Sequence, residues 1–144
     1  MGKIVKDEVY KELEAQIKIV RETGLSITHI DSHQHLHVLP GVIDIVIALA
    51  QKYSIGAIRI PAEKYLFCGG YHAGAKRIVG KYGLTYLANC AKTKVKKYGL
   101  KTPDYFFGML AGGNMSKLYL DNMIKALPIG VSEIMIHPGL DSTI

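Results

Sequence analysis

Cysteine is scarce in this chain, long apolar runs are missing, and no segment carries a phosphate-binding signature. The two cysteines, Cys68 and Cys90, lie far apart and match neither zinc nor redox spacing, so free thiols in a reducing compartment are expected. The longest apolar stretch, Val42 to Ala50, is too short to span a bilayer. Met1-Gly2-Lys3 leads into a charged segment rather than the apolar core of a signal peptide. The expected location is therefore the cytoplasm, without a membrane partner. The Gly-rich stretch Cys68-Gly69-Gly70-Tyr71-His72 has neither a Gly-x-Gly-x-x-Gly pattern nor a Walker-type lysine, which argues against a phosphate cradle and leaves His72 without a role. A net charge of +6 and the run Lys92-Thr93-Lys94-Val95-Lys96-Lys97 raise the question of nucleic acid. The run lacks interleaved aromatics and fits no helix-turn-helix or RNA-binding pattern, so it reads as a solvated helix face, and nucleic acid is not an expected partner.

What is present suits one globular domain over residues 1–144, with 49% hydrophobic residues to bury. Val9, Leu13, Ile17 and Val20 recur at helical spacing between Lys6 and Glu22, and Gly24 follows where a helix end favours a left-handed residue. A second, strongly apolar helix is expected from Val42 to Tyr53, behind Pro40-Gly41. Ala57 to Ile60 reads as a strand stopped by Pro61. Tyr65 to Gly74 reads as a loop, and Ala75 to Lys97 as helix broken at Gly80 and Gly83. A strand near Tyr105 to Phe107, a helix from Ser116 to Leu127 and a last strand from Val131 to Ile136, closed by Pro138-Gly139, complete the series. Helix and strand alternate without hairpin signals, so an α/β fold with a parallel sheet follows, either open or part of a barrel.

Four of the six histidines fall in Thr28-His29-Ile30-Asp31-Ser32-His33-Gln34-His35-Leu36-His37. If Ile27 to His33 is a strand, His29, Asp31 and His33 share one face, where an imidazole and a carboxylate can hold one divalent ion. Zinc, nickel or iron suits the imidazoles, and magnesium or manganese the carboxylate with water. A single histidine at a strand end is usually structural, and a cluster can be a tag-like surface feature. Four around one aspartate, with Pro40 and an apolar run behind them, fit metal binding or catalysis better. Alternation over ten residues covers more length than one ion reaches, so not every histidine is a ligand.

His33, Arg59 and His137 each fall at or just past the carboxyl end of an expected strand, where α/β folds assemble active sites. Arg59 can hold a carboxylate or a substrate oxygen, or simply form a surface ion pair with Glu63. His137 follows Glu133-Ile134-Met135-Ile136 and suits general acid or base chemistry, since imidazole titrates near neutral pH. Glu133 is expected on the strand rather than at its mouth, and Asp141 is a weaker candidate for that mouth. Tyr71, Tyr105, Phe106 and Phe107 can stack on a sugar, but aromatics at strand ends are more often core.

The histidine motif followed by Leu39-Pro40, the Arg59-Ile60-Pro61 segment and the segment Glu133 to Gly139 resemble, in order and spacing, the YdjC-like carbohydrate deacetylase family, which includes chitooligosaccharide deacetylases. The resemblance implies a partial (β/α) TIM-like barrel with parallel strands, and metal-assisted removal of acetyl groups from N-acetylated sugars. It implies a divalent metal ion, Mg or Zn, with His33 as the metal histidine. Arg59 matches as an orienting residue and His137 as the proton donor. His29, Asp31, His35 and His37 would face the substrate or steer the ligand imidazole by hydrogen bonds. Family members begin with a strand ending in paired aspartates, and another strand supplies a further metal histidine. No Asp-Asp pair occurs here. The chain is thus expected to be the C-terminal part of a longer family domain, lacking the N-terminal strands, inactive by itself and prone to self-association along an exposed edge. A small carbohydrate is the expected partner. Two other readings stand beside this one: a different barrel metallohydrolase, such as a phosphoesterase or amidohydrolase, and a non-catalytic metal- or sugar-binding remnant.

Overall fold

A computed structural model describes Val5 to His137. Asp141 and the Pro138-Gly139 closure lie outside the described residues. The chain divides into two compact units, Met1–Ile60 with Leu87–Thr102, and Pro61–Tyr86 with Pro103–Ile144.

In the first unit, helix α1 (Lys6–Glu22) ends as its pattern demands, with Gly24 at φ 80° just beyond Thr23. It packs on α2 (Val42–Lys52), which buries Ile43, Val46, Ile47, Leu49 and Ala50. Glu14 joins the two helices. Its Oε1 accepts from Lys52 Nζ at 2.6 Å and from the Tyr53 hydroxyl at 3.0 Å, while Lys18 Nζ lies 3.4 Å from Oε2. The Lys52 contact, then Tyr53, pulls the Glu14 carboxyl down to about 2. Strands β1 (His29–Ile30) and β2 (Ala57–Ile58) pair in parallel, and Lys101 bridges to Ala57. Each strand has two residues in the ladder, fewer than the pattern suggested. Arg59 N still donates to Ile30 O at 2.9 Å, but Pro61, two residues on, has no amide hydrogen to offer.

In the second unit, β3 (Tyr105–Phe107) and β4 (Ser132–Ile134) are parallel, registered Phe106 to Glu133, with Glu63 bridging to Phe106. Helix α4 (Lys117–Lys125) starts at Ser116, whose Oγ accepts from Tyr119 N at 3.2 Å. Phe107, Ala111, Tyr119 and Met123 form the core, with Phe67 set edge-on to Phe107 and Tyr119 at 5.3 and 5.7 Å. Phe106 is also buried, so these aromatics are core, as expected.

Helix α3 (Ala75–Lys97) runs unbroken through Gly80 and Gly83, against the expected break. Each glycine costs about 1 kcal/mol relative to alanine. Lys81, Thr85, Ala88, Ala91 and Val95 are all buried at helical spacing, and burial of such a stripe outweighs that cost. Lys94 in the basic run pairs with Asp44 at 2.5 Å.

All strand pairs are parallel and alternate with helices, but among the described residues they form two separate two-stranded sheets and close no barrel. The α/β class stands; the TIM-like barrel is not seen. Among the described residues, no helix is long and apolar enough to cross a membrane.

Candidate functional site

The histidine motif is mostly a loop rather than a strand. β1 stops at Ile30, the chain turns so that His35 N donates to Ser32 O at 3.1 Å, and His35 takes a left-handed conformation at φ 59°. A single 3-10 turn, Leu36–Val38, leads to Pro40-Gly41 and α2. The strand alternation that would align His29, Asp31 and His33 therefore fails beyond Ile30. Ser32 supplies the physical reason. Its hydroxyl oxygen accepts from His37 N at 3.2 Å and lies 2.7 Å from His37 Nδ1, a local bonding pattern that competes with a strand ladder.

His37 is buried, with Nε2 2.7 Å from the carbonyl oxygen of Arg59. A carbonyl only accepts, so Nε2 carries the hydrogen, and in the neutral ring Nδ1 accepts from the Ser32 hydroxyl. Both ring nitrogens are occupied within the chain, which gives His37 the hydrogen-bonding role rather than that of a ligand. The same arginine ion-pairs through Nη1 with Asp31 Oδ2. Arg59 thus takes Asp31 as a carboxylate partner, and Glu63 pairs with Lys81. Loop and strand end are tied twice: through the Arg59 main chain by His37 and through its side chain by Asp31.

His35 is buried beside His37, ring centroids 6.3 Å apart. Burial first, then His37 and Arg59, holds its imidazole down at about 4, so it is neutral at neutral pH. His33 and His29 are exposed, the latter with Nδ1 3.0 Å from the Thr28 hydroxyl. For a divalent metal, His33 offers an accessible imidazole, while the Asp31 carboxylate is engaged by Arg59. Among the described residues, no three His, Cys, Asp or Glu groups converge as a metal shell. The loop accommodates a metal only as one contributor to its shell.

In the second unit His137 follows β4 and is exposed. It lines a cleft of about 360 Å³ with Gly112, Gly113, Asn114, Met115, Ser116 and Met135. Glu133 sits in the β3–β4 ladder, as expected, rather than at the mouth. His72 is exposed in the loop before α3. Tyr71 packs at the edge of the core and its hydroxyl accepts from Arg77 Nη1 at 3.1 Å.

Several contributors escaped the sequence reading. Ser32 was legible only as the residue between Asp31 and His33. Asn114 and Ser116 follow a Gly112-Gly113 turn that gave no site signal. Glu63 and Lys81 form a buried ion pair at 3.3 Å. The spacing of Lys81, Thr85 and Ala88 was the available hint that a charge lies on the inner face of α3.

Short parallel strand pairs, crossover helices and a histidine loop at a strand's carboxyl end define an α/β protein with enzyme-like site placement. The family model described as YdjC-like protein matches residues 1–144, and the chain belongs to that family. It is 34% identical to a mouse protein named carbohydrate deacetylase, over 98% of this chain and 48% of the mouse protein. A Xenopus laevis protein of the same name is 31% identical over 99% of this chain and 51% of its own length. One from Thermoanaerobacter pseudethanolicus is 30% identical over 92% of this chain and 42% of its own length. The chain spans about half the length of these curated relatives. No solved structure matches it.

Proposed function

We propose that the whole protein is a metal-dependent carbohydrate deacetylase acting on N-acetylated sugars of the chitooligosaccharide type, with Mg or Zn as its ion. The observation that carries this reading is the double tie of Asp31 and His37 to Arg59, which holds the His33 loop at the carboxyl end of a parallel strand pair. The family membership and the name shared by the relatives support it. When bound, the ion supplies Lewis-acid polarisation of the acetyl carbonyl and a more acidic water.

In this reading His33 is this chain's contribution to holding the ion. Arg59 orients Asp31, and His29 and His35 border the substrate. Hydrolysis adds water to the acetyl carbon and breaks the C–N bond, and His137 delivers a proton to the departing sugar amine. The 144 residues alone are expected to release little acetate, because no Asp-Asp pair occurs among them and, among the described residues, no three His, Cys, Asp or Glu groups converge as a metal shell. The protein is read as cytoplasmic. It is also read as self-associating, because Leu66, Val79 and Ile129 of the second unit are 88%, 71% and 101% exposed.

Acetate release from N-acetylglucosamine oligomers by the whole protein, with and without a chelator, tests the function. His137→Ala is expected to lower kcat by about 10²–10⁴-fold, the usual range for loss of a general acid. His33→Ala should abolish the metal response. Full activity in both variants would sink the reading, and robust release by the 144 residues alone would overturn their expected inactivity.

A further inference from the structure

We propose that Glu63 is a positioning residue for His137: its buried carboxylate fixes the Gly108 turn, and that turn seats the backbone leading to His137. This rests on reading His137 as the proton donor. Glu63 is 1% exposed. Its Oε1 accepts from Gly108 N at 2.8 Å and from the Tyr119 hydroxyl at 3.4 Å, and Oε2 lies 3.3 Å from Lys81 Nζ. Lys81 also donates to the carbonyls of Tyr65, at 3.2 Å, and Phe67. A hydrogen bond to the lysine does not align at Oε2, so the pair is held mainly by charge.

Gly108 directly follows β3 and has φ +106°, and a Cβ there would collide with the Met135 carbonyl oxygen. Met135 N in turn donates to Phe107 O at 2.9 Å. The chain segments that line the cleft therefore depart from one crossing: 112–116 from the Gly108 side, and Met135 with His137 from the other. Glu63 supplies the side-chain acceptor that holds this crossing. An ion pair buried to this degree seldom adds stability over apolar residues of similar volume. Its geometric effect on the turn is the better account of a carboxylate at this place.

The test separates reach from charge in the full chain. Glu63→Asp keeps the charge opposite Lys81 but withdraws the acceptor by one methylene. Glu63→Gln keeps an acceptor at the original reach without the charge. The readout is the ¹³C–¹H cross-peak of the His137 ring, assigned by its loss in His137→Asn, with the His29 cross-peak as internal reference. Glu63→Asp should move the His137 peak, and Glu63→Gln should leave it near its original position. In the active whole protein, Glu63→Asp should lower kcat by about ten- to a hundredfold with KM little changed, the scale expected for misplacement of about 1 Å. Glu63→Gln should restore most of that loss. An unmoved His137 peak in Glu63→Asp, or an equal displacement in Glu63→Gln, overturns the proposal. The spectra read the positioning even if the protein proves not to be a deacetylase.

Discussion

At the scale of single residues, acceptors and donors are the scarce resource, and the motif loop spends them locally. His37 gives its Nε2–H to the Arg59 carbonyl and faces the Ser32 hydroxyl with Nδ1. His37→Phe fills the same space but leaves the Arg59 carbonyl and the serine hydroxyl without that partner. A loss of about 1–3 kcal/mol is expected in denaturant unfolding, the usual cost of stranding buried polar groups. Ser32→Ala should cost less, since it leaves the Arg59 contact in place. Glu14 supplies a second residue-scale expectation. Its folded carboxyl titrates near 2, below the ordinary 4.5, so its stabilising contribution is complete above about pH 4.5 and fades as pH falls toward 2. Thermal melts from pH 6 to pH 2.5 should show a shallower acid decline for Glu14→Gln than for the parent.

At the scale of elements, Gly80 and Gly83 in α3 have open space where a Cβ would stand. Gly80→Ala and Gly83→Ala should each stabilise the protein by about 0.4–1 kcal/mol, read as a raised melting temperature. A fall in stability would mean that the helix needs its glycines. This helix also shows how far the sequence could be read. Its bounds followed from flanking signals, and α1, α2, α4 and β3 lie close to where periodicity put them. The break failed because propensity is a local preference, while the buried stripe from Lys81 to Val95 depends on partners distant in the chain. The candidate residues divide in the same way. Arg59, His33 and His137 were legible as polar residues at strand ends. The strand-face alignment of His29, Asp31 and His33 was not, because two hydrogen bonds to one serine turned the chain after Ile30. Glu63 and Lys81 were hidden because charged residues are read as surface unless something marks them as paired.

At the scale of the whole molecule, charge and apolar exposure oppose each other. On the proposal of self-association, a net charge of +6 opposes contact between copies, and exposed Leu66, Val79 and Ile129 would favour it. Association should therefore strengthen as salt screens the charge. Light scattering at low and high ionic strength reads this directly, and a sharply monomeric species at both would remove self-association from the picture.

The lysine that faces Glu63 has a practical consequence. Lys81 is 4% exposed, and its ammonium group is occupied by two carbonyls and a carboxylate. Amine-directed labels and trypsin therefore meet a surface rich in basic residues from which this one is withheld. Modification at position 81 becomes a chemical signature that the second unit has opened, readable by mass without any assay of activity.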